Sequence, residues 1–287
     1  MKRELAAILS LVCVSACLAA KPEQEKPAAG KAAGAAASPV VWKLKFTEDF
    51  NGTKLNEKLW SRIGPGTSDW NRNMSLRPDL IAVKGGQLHA YGVKNADRNA
   101  DPRSVLTGGV STKGHYAVKY GKVEIKCKLE GQKGAWPAIW MMPEPPAPRW
   151  PHGGEIDIIE KLNFDDFVYH TVHSGWTKDH KNDPPNGGKG SIKANDWNVY
   201  AIEWTPEQIV WKVNGKTTHS YAKVGDDHAR FPWTTPFYLM IDMQLGGEWV
   251  GAIDESTLPT AMHVDWVKFY SGSRDGKTFT EFVDKMK

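Results

Sequence analysis

Apolar and polar residues alternate with a period of two in many short stretches of the chain. The runs at 43–46, 87–93, 118–129, 135–142, 155–160, 167–173, 197–204, 208–213, 217–221, 237–244 and 263–270 all look like strands. Between them stand turn formers: Lys84-Gly85-Gly86, Lys113-Gly114, Tyr120-Gly121, Asn214-Gly215 and Gly246-Gly247. Asn214-Gly215 joins two such runs and predicts a type I′ hairpin, whose central residues both need positive φ. Long helical periodicities are few. The expected fold is therefore all-β, a two-sheet antiparallel β-sandwich. The polar tail 271–287 has a short helical look.

The N-terminus follows a different rule. Lys2 and Arg3 precede an apolar run from Leu5 to Val14, followed by Val14-Ser15-Ala16-Cys17. A basic start, a short apolar stretch and small residues describe an export signal, too short to span a membrane as a helix. The cysteine after Ser-Ala resembles a bacterial lipobox. Residues 1–17 are thus expected to be a lipoprotein-type signal peptide with Cys17 as the lipidated residue. The alternative is an ordinary signal peptide cleaved nearby. Residues 18–39, rich in Ala, Lys, Pro and Gly, are expected to be a disordered linker. Residues 40–287 are then a single domain. The expected location is the bacterial cell envelope or surface, with membrane contact only through the lipid. Cys127 is the one cysteine of the domain, which leaves no internal disulfide framework. Its parity with Val123, Ile125 and Leu129 makes it a buried apolar residue.

Composition adds two points. The 287 residues carry a net charge of only +4, with no dense Lys/Arg run, so nucleic acid is not an expected partner. Thirteen tryptophans are a heavy load for this length. Some rings belong in a core, and a surplus in a cleft would suit flat pyranose rings. A monomer is expected.

The sharpest chemistry lies in Gly153-Gly154-Glu155-Ile156-Asp157-Ile158-Ile159-Glu160. Strict alternation points Glu155 and Asp157 one way and buries Glu160 on the other face, which is costly for a lone charge. One extra residue at Ile158-Ile159, a β-bulge, returns Glu160 to the face of the other two. Retaining glycosidases need two carboxyl groups about 5–5.5 Å apart, one nucleophile and one acid/base. Crowding spreads the pKa values of such acids, so that one stays protonated. A solvated charged face or a divalent-metal site are the other readings of the run. In the preceding strand, Trp136, Ala138 and Trp140 share a face, either as a sugar-stacking platform or as a core stripe. His173, in the following strand, is placed to hydrogen-bond near Glu160, or else is structural.

With the Trp136-Pro137-Ala138-Ile139-Trp140 strand and the closing Val264-Asp265-Trp266-Val267-Lys268-Phe269-Tyr270, the E-x-D-x-x-E run resembles the bulged branch of glycoside hydrolase family 16. The resemblance extends from about Trp42 to Tyr270. It implies a concave jelly roll with an open substrate cleft and endo-acting, retaining cleavage of β-glycans, with no cofactor required. By position it makes Glu155 the nucleophile, Glu160 the acid/base and Asp157 the assisting carboxylate. It also implies substrate contacts from Asn73, Arg77, Gln244 and Trp249, and a structural calcium held by Asp265 with Glu48 as a second ligand. The segments 71–75, 107–109 and 242–247 depart from the laminarinase pattern. Those at 74–80 and 242–247 look more like enzymes that cut β-1,4-galactosidic bonds within poly-N-acetyllactosamine, as in mucin O-glycans. The expected partner is therefore a β-linked polysaccharide or O-glycan. The alternatives are an endo-β-1,3-glucanase and a non-catalytic glycan-binding lipoprotein.

Overall fold

The computed structural model describes residues 38–286, which form one compact unit. The signal peptide, Cys17 and nearly all of the expected linker lie outside the described residues. No helix among the described residues is long and apolar enough to cross a membrane.

The strands are, in chain order, β1 (Val41–Glu48), β2 (Ser61–Arg62), β3 (Ile81–Lys84), β4 (Gln87–Lys94), β5 (Val105–Thr107), β6 (Gly109–Ser111) and β7 (Tyr116–Lys119). They continue with β8 (Gly121–Leu129), β9 (Ala135–Pro143), β10 (Glu155–Glu160), β11 (Phe167–His173), β12 (Gly187–Ser191) and β13 (Trp197–Trp204). The last are β14 (Gln208–Val213), β15 (Lys216–Ala222), β16 (Phe237–Leu245), β17 (Thr260–Arg274), β18 (Lys277–Thr278) and β19 (Glu281–Asp284). They build two antiparallel sheets. One runs β15-β14-β13-β8-β17-β4-β3, and the other runs β12-β11-β10-β9-β16-β6-β2. The expected two-sheet antiparallel sandwich is the fold observed.

The apolar faces of the two sheets meet in one core. Ile156, Ile158 and Ile159 of β10 belong to the same buried cluster as Ile125, Cys127, Ile202, Trp211 and Val264 from the opposite sheet. Full burial of side chains this size stabilises by about 1.5–3 kcal/mol each. Cys127 is free and buried, and burial pushes its thiol pKa up. Asn214 and Gly215 both have positive φ, at 50° and 80°, as a type I′ turn requires.

Two expectations need correction. The run 118–129 is two strands in different sheets. The chain changes sheet at Tyr120, whose φ is +53°. A side chain at the next residue, Gly121, would meet Val118 at 2.6 Å and the Tyr270 carbonyl at 3.0 Å. The tail is not helical. β17 continues to Arg274, and β19 pairs with β7 through Glu281–Lys119 to Asp284–Tyr116. Phe282 there packs on Tyr116, with ring centroids 5.6 Å apart, and this contact outweighs local spacing.

Candidate active site

The three carboxylates sit on one strand, and the expected bulge puts them together. On the β11 side, Asp157 pairs with Thr171 and Glu160 with Tyr169, so three steps along β10 match two along β11. On the β9 side, Asp157 pairs with Trp140 and Ile159 with Ile139, and Ile158 has no partner in either ladder. Ile158 and Ile159 are consequently both fully buried, and Glu160 lines the same cleft as Glu155 and Asp157.

Side chains from beyond the ladder hold this irregular backbone. The His170 Nδ1–H donates to the Ile158 carbonyl at 2.7 Å. A carbonyl can only accept, so Nδ1 carries the proton, and Nε2 accepts from the Thr218 hydroxyl at 2.9 Å. The indole of Trp211, on β14 of the opposite sheet, donates to the Asp157 carbonyl at 2.8 Å. Trp233 donates to the Glu155 carbonyl at 3.0 Å. Gly154 opens the strand at φ +84°, and a Cβ there would lie 2.8 Å from the Trp233 indole nitrogen. Only glycine gives both that backbone and that clearance.

The acids are crowded and largely buried. Burial raises Glu155 to about 8, with the charge of Asp157 adding to it and His173 opposing it. Burial likewise raises Asp157 to about 7. Glu160 is pushed well above the carboxylate range by burial and then by the charges of Asp157 and Glu155. The Trp136 indole, donating to Glu160 Oε1 at 3.0 Å, partly offsets this. The physical order is clear: His173 helps Glu155 to ionise, while both neighbours hold the proton on Glu160.

A fourth carboxylate joins from β16. Asp242 is fully buried, and burial raises it to about 7. It pairs with Ala138, which also pairs with Glu160, so it lies two strands from Glu160 in the same row. It accepts from the Trp140 indole at 2.9 Å and from the Gln244 amide at 2.7 Å. Sequence reasoning missed Asp242, although a lone acid in the apolar run 237–245 was a signal of the kind that singled out Glu155.

A cleft of about 820 Å³ opens over these acids. Trp70, Trp136, Trp140, Trp150, Tyr169 and Trp249 line it, with Lys181 and Asn186 from the loop before β12 and Lys189 from β12 itself. Trp249 and Trp150 are 48% and 55% exposed, so their rings face solvent. Trp136 meets Trp249 edge-on at 5.4 Å, and Trp249 meets Tyr169 at 5.0 Å, forming a continuous aromatic belt. Trp140 shares this face as expected, but it is only 6% exposed and forms floor rather than an open platform.

Three placements differ from expectation. His173 stands opposite Glu155, not Glu160, because antiparallel pairing puts the end of β11 against the start of β10. Its Nε2 lies 3.3 Å from Asp157 Oδ2 and 3.8 Å from Glu155 Oε1. The residue opposite Glu160 is Tyr169. Asn73 does not line the cleft. Its amide donates to the Leu245 carbonyl at 2.9 Å and ties its loop to the end of β16. Arg77 also lies off the cleft, paired with Asp79 at 2.7 Å. Gln244 and Trp249 do line it.

The two residues expected to hold calcium have protein partners. Asp265 pairs with Lys126 at 2.7 Å, and Glu48 accepts from the Phe50 amide at 2.9 Å. Among the described residues they join no group of three metal-ligating side chains. With a lysine ammonium on one carboxylate, these side chains alone do not fit a calcium ion, which takes six to eight oxygens.

Against known proteins, the model of Glycosyl hydrolases family 16 matches residues 81–268. The chain belongs to that family. It is 35% identical to the keratan-sulfate endo-1,4-beta-galactosidase of Sphingobacterium multivorum over 80% of this chain, a match spanning 55% of that protein's length. It is equally 35% identical to a beta-glucanase of Rhodothermus marinus, over 80% of this chain and 84% of that protein. Among solved structures, one reported for endo-acting O-glycanases of the human gut microbiota superposes with a TM-score of 0.70 at 26% identity. That superposition covers 79% of this chain and 98% of the other.

Proposed function

We propose that this family 16 chain is a retaining endo-β-glycosidase whose substrate is an internal β-1,4-galactosidic bond of poly-N-acetyllactosamine. The observation that carries the catalytic part is the bulge, which turns Glu155, Asp157 and Glu160 into one aromatic-lined cleft. In the first step, the Glu155 carboxylate attacks the anomeric carbon as Glu160 gives its proton to the departing oxygen. A covalent glycosyl-enzyme results, and the aglycone leaves. In the second step, Glu160, now ionised, takes a proton from water. The resulting oxygen nucleophile displaces Glu155 and restores the original configuration. Asp157, one pleat from Glu155, shares its hydrogen-bonding environment and orients it. Trp136, Trp249 and Tyr169 offer stacking faces to sugars on either side of the bond.

The galactosidic choice is supported by the likeness to the keratan-sulfate endo-1,4-beta-galactosidase and by the likeness to the O-glycanase structure. The test digests keratan-type poly-N-acetyllactosamine and laminarin with the purified chain, sizes the products by mass spectrometry and uses Glu155→Gln as control. Internal cuts after galactose, absent in the control, are expected. Glucose oligomers from laminarin alone would replace this reading with an endo-β-1,3-glucanase. Equal sugar binding without any cleavage would make the chain a glycan-binding protein.

A further inference from the structure

We infer that Glu155, Asp157 and His173 also form a site for one transition-metal cation of the Zn²⁺ class, which blocks the cleft reversibly. Their ligand atoms lie within 4.8 Å of one another, the one such group among the described residues. His173 Nε2 is 3.3 Å from Asp157 Oδ2 and 3.8 Å from Glu155 Oε1. Zinc bonds to imidazole and carboxylate are about 2.0–2.2 Å, and a tetrahedron of that size has edges of about 3.4 Å. The two His173 separations straddle that edge, and the two carboxylate ligand atoms lie within 4.8 Å of each other, so side-chain shifts can close three corners. The fourth corner faces the open cleft, where water or a sugar hydroxyl completes the set.

A second observation points to a ligand. Asp157 Oδ2 is buried, on a side chain 4% exposed, and has no hydrogen-bond partner. A buried acceptor without a donor is unfavourable, and a cation removes the deficit. One imidazole and two carboxylates suit zinc or copper, whereas calcium asks for more oxygens than converge here. His173 is 37% exposed at its side chain, so the metal has an entry path. Metal and proton compete for the same atoms, so binding weakens as pH falls. A bound ion also engages the carboxylate of Glu155, which lines the cleft, so inhibition is expected to be competitive with glycan.

The test titrates the full-length chain with ZnCl₂ by calorimetry at pH 7.5 and again at pH 5.5, with no substrate present. Failure here is therefore separate from failure of the glycosidase reading. One site is expected, weaker at the lower pH. His173→Gln and Asp157→Asn, each near its parent in size, are expected to weaken it at least tenfold. His180→Gln, away from the cleft lining, is expected to leave it unchanged. Circular dichroism confirms that each variant is folded. Absence of a site, or affinity unchanged in both His173→Gln and Asp157→Asn, overturns the assignment. So does a loss in His180→Gln, which would place the ion on that exposed ring.

Discussion

The bulge depends on His170, and replacing that ring by phenylalanine tests how much. His170 is 1% exposed, and Phe is close to it in size, so the cavity contribution is small. His170→Phe removes the donor to the Ile158 carbonyl, on a residue that is 0% exposed. An unsatisfied buried carbonyl costs about 1–3 kcal/mol. The Thr218 hydroxyl also loses its acceptor, but its proton can turn to the Trp211 carbonyl at 3.3 Å, so this adds little. The expected loss is therefore about 1–3 kcal/mol, which lowers Tm by roughly 2–4 °C for each kcal/mol. Without that bond the strand drifts towards regular alternation, which turns Glu160 inward. A fall in kcat of at least about tenfold is expected while the variant is still folded. His170→Asn keeps an N–H donor near Nδ1 and should recover much of both losses. Urea unfolding and initial rates measure the two effects.

The wild-type ring also makes stability pH-dependent. Burial lowers the His170 pKa from 6.5 to about 4. Between those values the unfolded chain binds a proton and the folded chain does not, so stability falls as pH drops from about 6.5 to 4. His170→Phe should flatten that decline. Stability within about 0.5 kcal/mol of wild type, with kcat within twofold, would refute the argument.

Other outcomes follow from the same geometry. Glu155→Gln should lose roughly 10³-fold or more of kcat yet melt higher than wild type. The Glu155 pKa is raised by folding, so its contribution to stability is lost as pH rises through about 8. The Tm gain should accordingly be larger at pH 8 than at pH 5, and an equal gain at both would contradict it. Trp136→Phe removes the indole bond to Glu160, which favours the ionised acid. The basic limb of the pH–rate profile should move up, and a downward move would oppose the assignment of Glu160 as proton donor. Trp249→Ala removes a ring that is 48% exposed and links Trp136 to Tyr169. KM should rise about 2- to 12-fold with kcat nearly unchanged, for a stacking contact of about 0.5–1.5 kcal/mol.

Much of this was legible in the sequence because a period of two has few exceptions. An acid at the wrong parity, Glu160, revealed the bulge, and Asn214-Gly215 gave its turn directly. The strands that escaped notice are short or lack a pattern. β5 and β6 have three residues each, and β12 reads Gly-Gly-Lys-Gly-Ser, with no apolar alternation at all. Its place in the next strand brought His173 near the acids, but strand pairing decides which acid it meets. Asn73 and Arg77 came from resemblance in loop segments, whose neighbours are set by tertiary contacts such as the Leu245 carbonyl. Trp150 sits on a loop between β9 and β10, where no periodicity applies.

The residues that hold the bulge stand outside the E-x-D-x-x-E run. His170 comes from the next strand and Trp211 from the opposite sheet, while buried Gly190 on β12 leaves room for the ring, since a Cβ there would lie 2.8 Å from His170 Nε2. A single methyl group at that position would press on the ring that holds Ile158. Two chains can therefore spell the same three acids and differ in whether those acids ever meet. When a family member is sorted from sequence as active or inert, the letters at 170, 190 and 211 carry information that the motif itself leaves out.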